Sequence, residues 1–483
     1  MRSPVLCETV TGRTMAELLA ARDRAVTGDM VELRLDGVAD LDVARALAGR
    51  NRPAIVTCRP TWEGGHFEAS ENQRRVILAR ALDGGAEYID VEWRAGFTEL
   101  IAQAPARVVV SSHDFAGVPT DLESRVRAMR QTGAAVIKIA VTAARLTDTL
   151  PLIGIGRAGG AVVIGMGAAG LPTRLLAAHF GSQWTYAGNA VAPGQIPAEE
   201  MAGRYRFRSV GRETRVFGVV SGNAMHSLSP TLHNAAFAAA DLDAVYVPFQ
   251  AAHFDDFLAF ADALGVEGAS VTIPFKLDAL HAAHGADDLT RTVGAANTVR
   301  RRHDAWEATN TDVAGFLEPL EAILPGTLEG ARAAVLGAGG AARAVVVALT
   351  SRKAQVTVHA RRLEQAQEVA VLGASAALLP PAPGSWDVLV NTTPVGGAAS
   401  RTESPLPHGP FTGRVVYDLT YGPGESRLVR EARAAGCLAL DGLPMLIAQA
   451  EHQFEWWTGQ RAAPSVMAAA AGSRQWAVGS GQS

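Results

Sequence analysis

The run Ala134-Ala135-Val136-Ile137-Lys138-Ile139-Ala140-Val141-Thr142 decides how the first half of the chain is read. It is apolar and β-branched, the composition of a strand buried on both faces. A lysine nevertheless stands in its middle, and a buried ammonium is costly unless it is paired or used. Outward from this run one theme recurs: a short apolar strand, a polar loop, then a helix-like Ala/Leu/Arg stretch. The strand candidates are Val5–Val10, Val31–Leu35, Ala54–Thr57, Ala86–Val91, Arg107–Ser112, Ala135–Val141, Ala161–Ile164 and Trp184–Ala187. Eight strands with helices between them, over roughly 200 residues, predict a (β/α)8 TIM barrel. A doubly wound open sheet has the same periodicity. The barrel is favoured because Glu32, Arg34, Arg59, Glu92, His113, Lys138 and Met166 fall in or at the carboxyl ends of separate strands, which a barrel gathers at one mouth.

A second lysine, Lys276, ends the run Val271-Thr272-Ile273-Pro274-Phe275-Lys276, upstream of Asp312 in Thr309-Asn310-Thr311-Asp312. Farther on, the strand candidate Ala331–Leu336 enters Gly337-Ala338-Gly339-Gly340-Ala341-Ala342-Arg343, a G-x-G-x-x-A turn followed by a helical stretch and a second strand, Gln355–His359. Such glycines permit a tight turn and bring backbone close to a pyrophosphate at a helix N-terminus. Where an enzyme using NAD would place an acid on the ribose, this chain has His359-Ala360-Arg361-Arg362, and an arginine there suits a 2′-phosphate, so NADP is expected. The expected organisation is a barrel over 1–205, an α/β substrate domain over 214–316 completed by 443–472, and a Rossmann domain over 317–442. The basic, glycine-containing and aperiodic stretch 202–215 reads as a short linker.

With 483 residues, 48% hydrophobic and 19% charged, the chain has the composition of a globular protein of two or three domains. A net charge of −4 without a long basic run argues against a nucleic-acid partner. The three cysteines, Cys7, Cys58 and Cys437, are far apart, which excludes a Cys-x-x-Cys metal site and fits a reducing compartment. No charged segment followed by an apolar core opens the sequence and no apolar run is long enough for a bilayer, so a cytoplasmic protein with small-molecule substrates is expected.

A desolvated lysine can condense with a ketone, and the resulting iminium acidifies the neighbouring C–H for a histidine to move. Lys138 and His113 suit these roles, with Glu92 able to orient the histidine. The bland alternatives are a snorkelling strand lysine and a satisfied core histidine. The motifs Glu32-Leu-Arg34-Leu-Asp36, Thr57-Cys-Arg59-Pro-Thr-Trp-Glu-Gly-Gly65, Tyr88-Ile-Asp-Val-Glu92, Ser111-Ser-His113-Asp-Phe115, Ile137-Lys138, Gly165-Met-Gly167 and Ala192-Pro-Gly-Gln195 together resemble type I 3-dehydroquinate dehydratase. The resemblance implies a Schiff base on Lys138, acid–base work by His113 paired with Glu92, a carboxylate clamp at Arg174, and ring contacts from Glu32, Arg34, Arg59 and Gln195. Val191 departs from the serine common in that family.

The second half opens with His226-Ser227-Leu-Ser229-Pro230, where Pro230 can start a helix capped by Ser229. With Val271-Thr272 to Lys276, Gly294-Ala-Ala-Asn297-Thr298, Asn310-Thr-Asp312, Asn391-Thr392-Thr-Pro-Val-Gly396, Asp418-Leu-Thr-Tyr421 and Gly442-Leu-Pro-Met-Leu-Ile-Ala-Gln449, it resembles shikimate dehydrogenase. The resemblance implies a Lys276–Asp312 catalytic pair. It further implies carboxylate contacts from Ser227, Ser229 and Tyr421, and hydroxyl contacts from Thr272, Asn297, Asp312 and Gln449. NADP(H) would be held by Gly337, Ala338, Gly339, Gly340, Ala341, Arg361, Thr392 and Gly442, and no metal is implied. Asn223, Ser270 and Ala360 depart from the common pattern. Two other readings stay open: a quinate-preferring dehydrogenase using NAD, and a catalytically silent, regulatory barrel. Trp456-Trp457, Cys58, Asp287-Asp288 and Arg301-Arg302 read as packing or solvated charge.

Overall fold

The computed structural model describes residues 5–189, 193–324, 326–407 and 409–472. Among them, residues divide into two compact units. One takes the chain to Gly218 with Gly222–Ser227 and Asp243–Val266; the other takes Val219–Ser221, Leu228–Leu242 and the chain from Glu267 onward.

In the first unit the strands are β1 (Val5–Val10), β2 (Met30–Arg34), β3 (Ala54–Thr57), β4 (Tyr88–Glu92), β5 (Val108–Asp114), β6 (Val136–Thr142), β7 (Ala161–Met166) and β8 (Trp184–Ala187). They form one all-parallel sheet in the order β7-β6-β5-β4-β3-β2-β1-β8. Gln183 N donates to Ala161 O at 2.9 Å across the seam, so the barrel is nearly closed. Expected strand limits and observed ones differ by at most two residues, because the β-branched runs coincide with the stretches whose two faces are both covered. Inside the barrel, Cys7, Ile55, Val109, Ala140, Ile164 and Tyr186 belong to one apolar cluster. Ladder register sets Lys138 opposite Ser111 of β5 and Val162 of β7.

The 202–215 stretch carries local structure of its own. Ala198–Gly203 is helical, Phe207–Ser209 forms a 3-10 turn, and Tyr205, Phe207 and Val210 are buried. Three apolar side chains at irregular spacing have no period to betray them, yet they anchor the segment. Also in this unit, the buried Asp256 of helix Phe254–Leu264 accepts hydrogen bonds from Leu146 N (2.9 Å), Thr147 N (3.0 Å) and Thr147 Oγ1 (2.7 Å). It thereby caps the turn that follows the Lys138 strand.

A six-stranded mixed sheet has the order β10-β9-β11-β13-β14-β12, from β9 (Arg215–Ser221), β10 (Ala244–Gln250), β11 (Val266–Val271), β12 (Gly285–Ala286), β13 (Thr298–Arg302) and β14 (Ala305–Thr309). The second unit holds an all-parallel sheet of β15 (Arg332–Leu336), β16 (Gln355–Ala360), β17 (Ser375–Leu378), β18 (Val388–Asn391), β19 (Val415–Asp418) and β20 (Leu438–Leu440). Its order, β17-β16-β15-β18-β19-β20, is the doubly wound dinucleotide-binding order. Alternate residues of β15 serve opposite faces: Ala333 and Val335 enter one core, Ala334 and Leu336 another.

Two helix starts differ from expectation. Lys276 does not end a strand: β11 stops at Val271, and Lys276 opens the helix Lys276–Ala282. Ser229 is the first residue of helix Ser229–Ala239 rather than its cap, a position taken by Leu228. Among the described residues no helix is long and apolar enough to cross a membrane.

Candidate active sites

The barrel mouth encloses a cavity of about 110 Å³ lined by Glu32, Arg59, Glu63, His113, Lys138, Arg174, Tyr186 and Gln195 among others. Lys138 Nζ lies 3.1 Å from Asp90 Oδ2 and 3.5 Å from Glu32 Oε1. Glu32 in turn accepts from Thr9 Oγ1 and Thr57 Oγ1, each at 2.8 Å. Burial opposes ionisation of Glu32, but Lys138 and Arg34 hold its carboxyl below the ordinary range. Gln195 Nε2 donates to Thr9 Oγ1 at 3.3 Å, and Arg34 is held by Asp36 through two bonds of 2.8 and 2.9 Å.

His113 is oriented by Glu63. Its backbone N donates to Glu63 Oε1 at 2.9 Å, and its ring Nδ1 lies 2.9 Å from the same oxygen. With Nδ1–H donating, Nε2 is the basic ring atom. Burial, then the charges of Arg59 and Lys138, push the imidazole well below the usual histidine range, so it is neutral at pH 7. Burial also raises the Glu63 carboxyl to about 7, against the pull of Arg59.

Arg174 is 2% exposed. Its guanidinium reaches only carbonyls, Tyr186 O at 3.2 Å and Pro193 O at 3.5 Å, and its Nε has no partner among the described residues. Burial pushes its pKa down to about 10. An unpaired buried cation lining a cavity is a receptor for an anionic group.

In the second unit, Lys276 Nζ and Asp312 Oδ2 are 2.5 Å apart. Asn297 Nδ2 donates to the other Asp312 oxygen at 2.8 Å and reaches Gln449 Oε1 at 3.3 Å. Asp312 opens helix Asp312–Ile323, which packs closely on helix Leu443–Thr458: a Cβ on Gly315 would stand 2.7 Å from Gln449 Cβ. The lysine lies against the dinucleotide turn, since a Cβ on Gly340 would be 3.0 Å from Lys276 Cδ. Ser229 is buried; Thr272 and Tyr421 are half-buried. In the first unit, Ser227 is half-buried in a turn where its N donates to Ala224 O at 3.3 Å.

That turn fits a dinucleotide. Gly337 has φ +109°, and a Cβ there would stand 2.6 Å from Thr392 Oγ1. Thr392 is fixed by donating its N (2.9 Å) and Oγ1 (2.8 Å) to Leu336 O. Nothing lies within 4 Å of a Cβ on Gly339, which leaves room at the N-terminus of helix Gly340–Ser351 for a pyrophosphate. A cleft of about 820 Å³ runs past Gly337, Ala338 and Gly339 to Ala360, the exposed Arg361 and Thr392. Gly442 is forced by close approach, because a Cβ would stand 2.2 Å from Leu419 O.

Residues 6–212 match the profile of type I 3-dehydroquinase, 219–299 that of the shikimate dehydrogenase substrate binding domain, and 442–471 that of the shikimate 5′-dehydrogenase C-terminal domain. The chloroplastic bifunctional 3-dehydroquinate dehydratase/shikimate dehydrogenase of Arabidopsis thaliana is 32% identical over 94% of this chain and 82% of its own length. The chain belongs to the bifunctional 3-dehydroquinate dehydratase/shikimate dehydrogenase family. A shikimate dehydrogenase (NADP(+)) of Anaeromyxobacter dehalogenans is 41% identical over 54% of this chain and 97% of its own. A crystal structure of shikimate dehydrogenase from Aquifex aeolicus superposes with a TM-score of 0.50 at 32% identity, covering 54% of this chain and 99% of that one.

Within the dehydratase half the expected Glu92–His113 pair does not form. Glu92 Oε1 lies 2.7 Å from Arg59, and its other oxygen is bound by Arg74. The orienting carboxylate is Glu63, from the short 3-10 turn Thr61–Glu63 after β3. Asp90, the nearest carboxylate to Lys138, and Arg74, fully buried in helix Glu71–Asp83, were also missed. Asp90 carries a readable signal, alternating with Glu92 along β4; Arg74 carries none. In the shikimate dehydrogenase half, Ser270 donates to Gln453 Oε1 at 2.7 Å, and Ala360 is buried beside Arg361. Asn223 is exposed in a turn, and Val191 lies outside the described residues.

Proposed function

We propose that Lys138 and Lys276 serve two successive reactions of the shikimate pathway on one polypeptide. The enzyme dehydrates 3-dehydroquinate to 3-dehydroshikimate and reduces that ketone to shikimate with NADPH. The observation that carries the reading is a buried lysine, a neutral histidine and an arginine without a carboxylate partner among the described residues, all lining one cavity.

In the first reaction Lys138 condenses with the substrate ketone, expelling its oxygen as water. His113 Nε2 then takes a proton from the adjacent carbon, and the β-hydroxyl leaves as water when the histidine returns that proton. Hydrolysis releases the enone and the lysine. Arg174 holds the substrate carboxylate, while Glu32, Arg34, Arg59 and Gln195 line the hydroxyl side. Glu63 fixes the tautomer that leaves Nε2 free.

In the second reaction NADPH, when bound, supplies the hydride. Lys276 gives a proton to the oxygen that becomes the hydroxyl, and Asp312 with Asn297 holds the lysine in place. Ser229 and Tyr421 take the carboxylate; Thr272, Asn297 and Gln449 take hydroxyls. Gly337, Ala338, Gly339 and Thr392 line the cofactor cleft; with Gly340, Ala341 and Gly442 they would hold NADPH, and Arg361 would pair with its 2′-phosphate. Three free, buried cysteines support a reducing, cytoplasmic setting.

The test is NADPH consumption by the purified protein given 3-dehydroquinate alone. Oxidation of NADPH requires both sites in series. No oxidation, with recovery on adding 3-dehydroshikimate, would refute the barrel's part.

A further inference from the structure

The dehydratase cavity has an aromatic wall that the acid–base chemistry leaves unused. Tyr186 of β8 is 2% exposed, and Lys138 Nζ sits over its ring, 4.2 Å from the centroid. The nitrogen's other partners are the carboxylates of Asp90 at 3.1 Å and Glu32 at 3.5 Å. The lysine itself is 5% exposed, and Ala140, Ile164 and Met166 complete the apolar side of the cavity, so little water screens the charge.

Condensation changes what these partners can do. An ammonium and a ketone become an iminium and water: two of the three N–H protons leave with the carbonyl oxygen, the C=N bond forms as C–O breaks, and the positive charge stays. One N–H donor remains, so hydrogen bonding to both carboxylates is no longer possible. A π face attracts a cation whatever the direction of its N–H bonds, and the attraction is largest where water is excluded. The ring is therefore a partner whose hold does not depend on the N–H donors that condensation removes.

We propose that the face of Tyr186 is a catalytic element of the dehydratase, stabilising the iminium carried by Lys138. The inference rests on the Schiff-base reading of that lysine. It is tested in the full-length protein with Tyr186→Phe, Tyr186→Leu, and phenylalanines bearing one, two and three ring fluorines at the same position. The readouts are the dehydration kcat and the mass of the adduct trapped by borohydride with 3-dehydroquinate. Reduction of 3-dehydroshikimate in the same samples reports folding.

Tyr186→Phe should stay within about 3-fold of the parent, and Tyr186→Leu should lose about 5- to 30-fold in kcat. Each added fluorine, which withdraws charge from the ring with little change in shape, should lower kcat and the trapped fraction by a further step. A flat fluorine series with a normal adduct in the parent would overturn the ring's role and leave the lysine chemistry standing. No adduct in the parent would overturn both.

Discussion

Replacing Arg174 with methionine should make the substrate-free protein more stable while crippling the dehydratase. The guanidinium is 2% exposed, its neighbours are two carbonyls, and no carboxylate pairs with it among the described residues. Burial pushes its pKa down to about 10, well below an ordinary arginine, which corresponds to about 3 kcal/mol of unfavourable burial. The folded-state value lies below the unfolded one, so the penalty is fully present at neutral pH and lifts only as pH rises through about 10. Methionine fills similar space without charge. Leaving Tyr186 O and Pro193 O without their donor returns part of the gain, so a net rise of about 1–2 kcal/mol is expected. In a unit of this size that corresponds to about 2–8 °C in melting temperature. Differential scanning calorimetry without substrate measures it, and initial rates on 3-dehydroquinate give the other side: KM should rise by about 100-fold or more. A variant that melts lower than the parent, or keeps its KM, would refute the idea of a cation waiting for its anion.

Other outcomes follow from the same geometry. Glu63→Gln should cut dehydration kcat by about 10- to 100-fold, the worth of one charge-assisted hydrogen bond to the His113 ring. Because burial raises Glu63 to about 7, the carboxylate is lost as pH falls through that value; the parent's rate should show an acid limb near 7 that the glutamine variant lacks. Lys138→Ala should abolish dehydration and spare reduction, and Lys276→Ala the reverse; a folded variant lacking both activities would disprove two separate sites. Arg361→Ala should raise KM for NADPH by about 10-fold or more and leave that for NADH unchanged, as steady-state rates with each cofactor would show.

What the sequence made legible was what local pattern encodes. Barrel strands announce themselves as β-branched runs with the chemistry at their carboxyl ends, and the glycine turn declares itself because Gly337 needs a backbone conformation that few other residues adopt. What it hid was pairing across the fold. Glu92 lies at a strand end as a catalytic acid would, but two arginines claim it, one of them Arg74 from the helix Glu71–Asp83. Glu63 belongs to a loop with no periodicity, and only closure of the barrel brings it to His113. The anchoring of the 202–215 stretch was hidden for a related reason: Tyr205, Phe207 and Val210 are buried without any regular spacing.

The Asp256 cap has a consequence for how the two enzymes can be parted. Its residue lies within 219–299, the stretch that matches the shikimate dehydrogenase substrate binding domain, yet its carboxylate closes a turn next to the dehydratase strand β6. Cutting the chain after residue 212 would leave three donors at Leu146 and Thr147 without their acceptor. The catalytic residues of the barrel would all be present, but a piece of its folding would have been left behind. A point of scission chosen for engineering is therefore not where the sequence families meet.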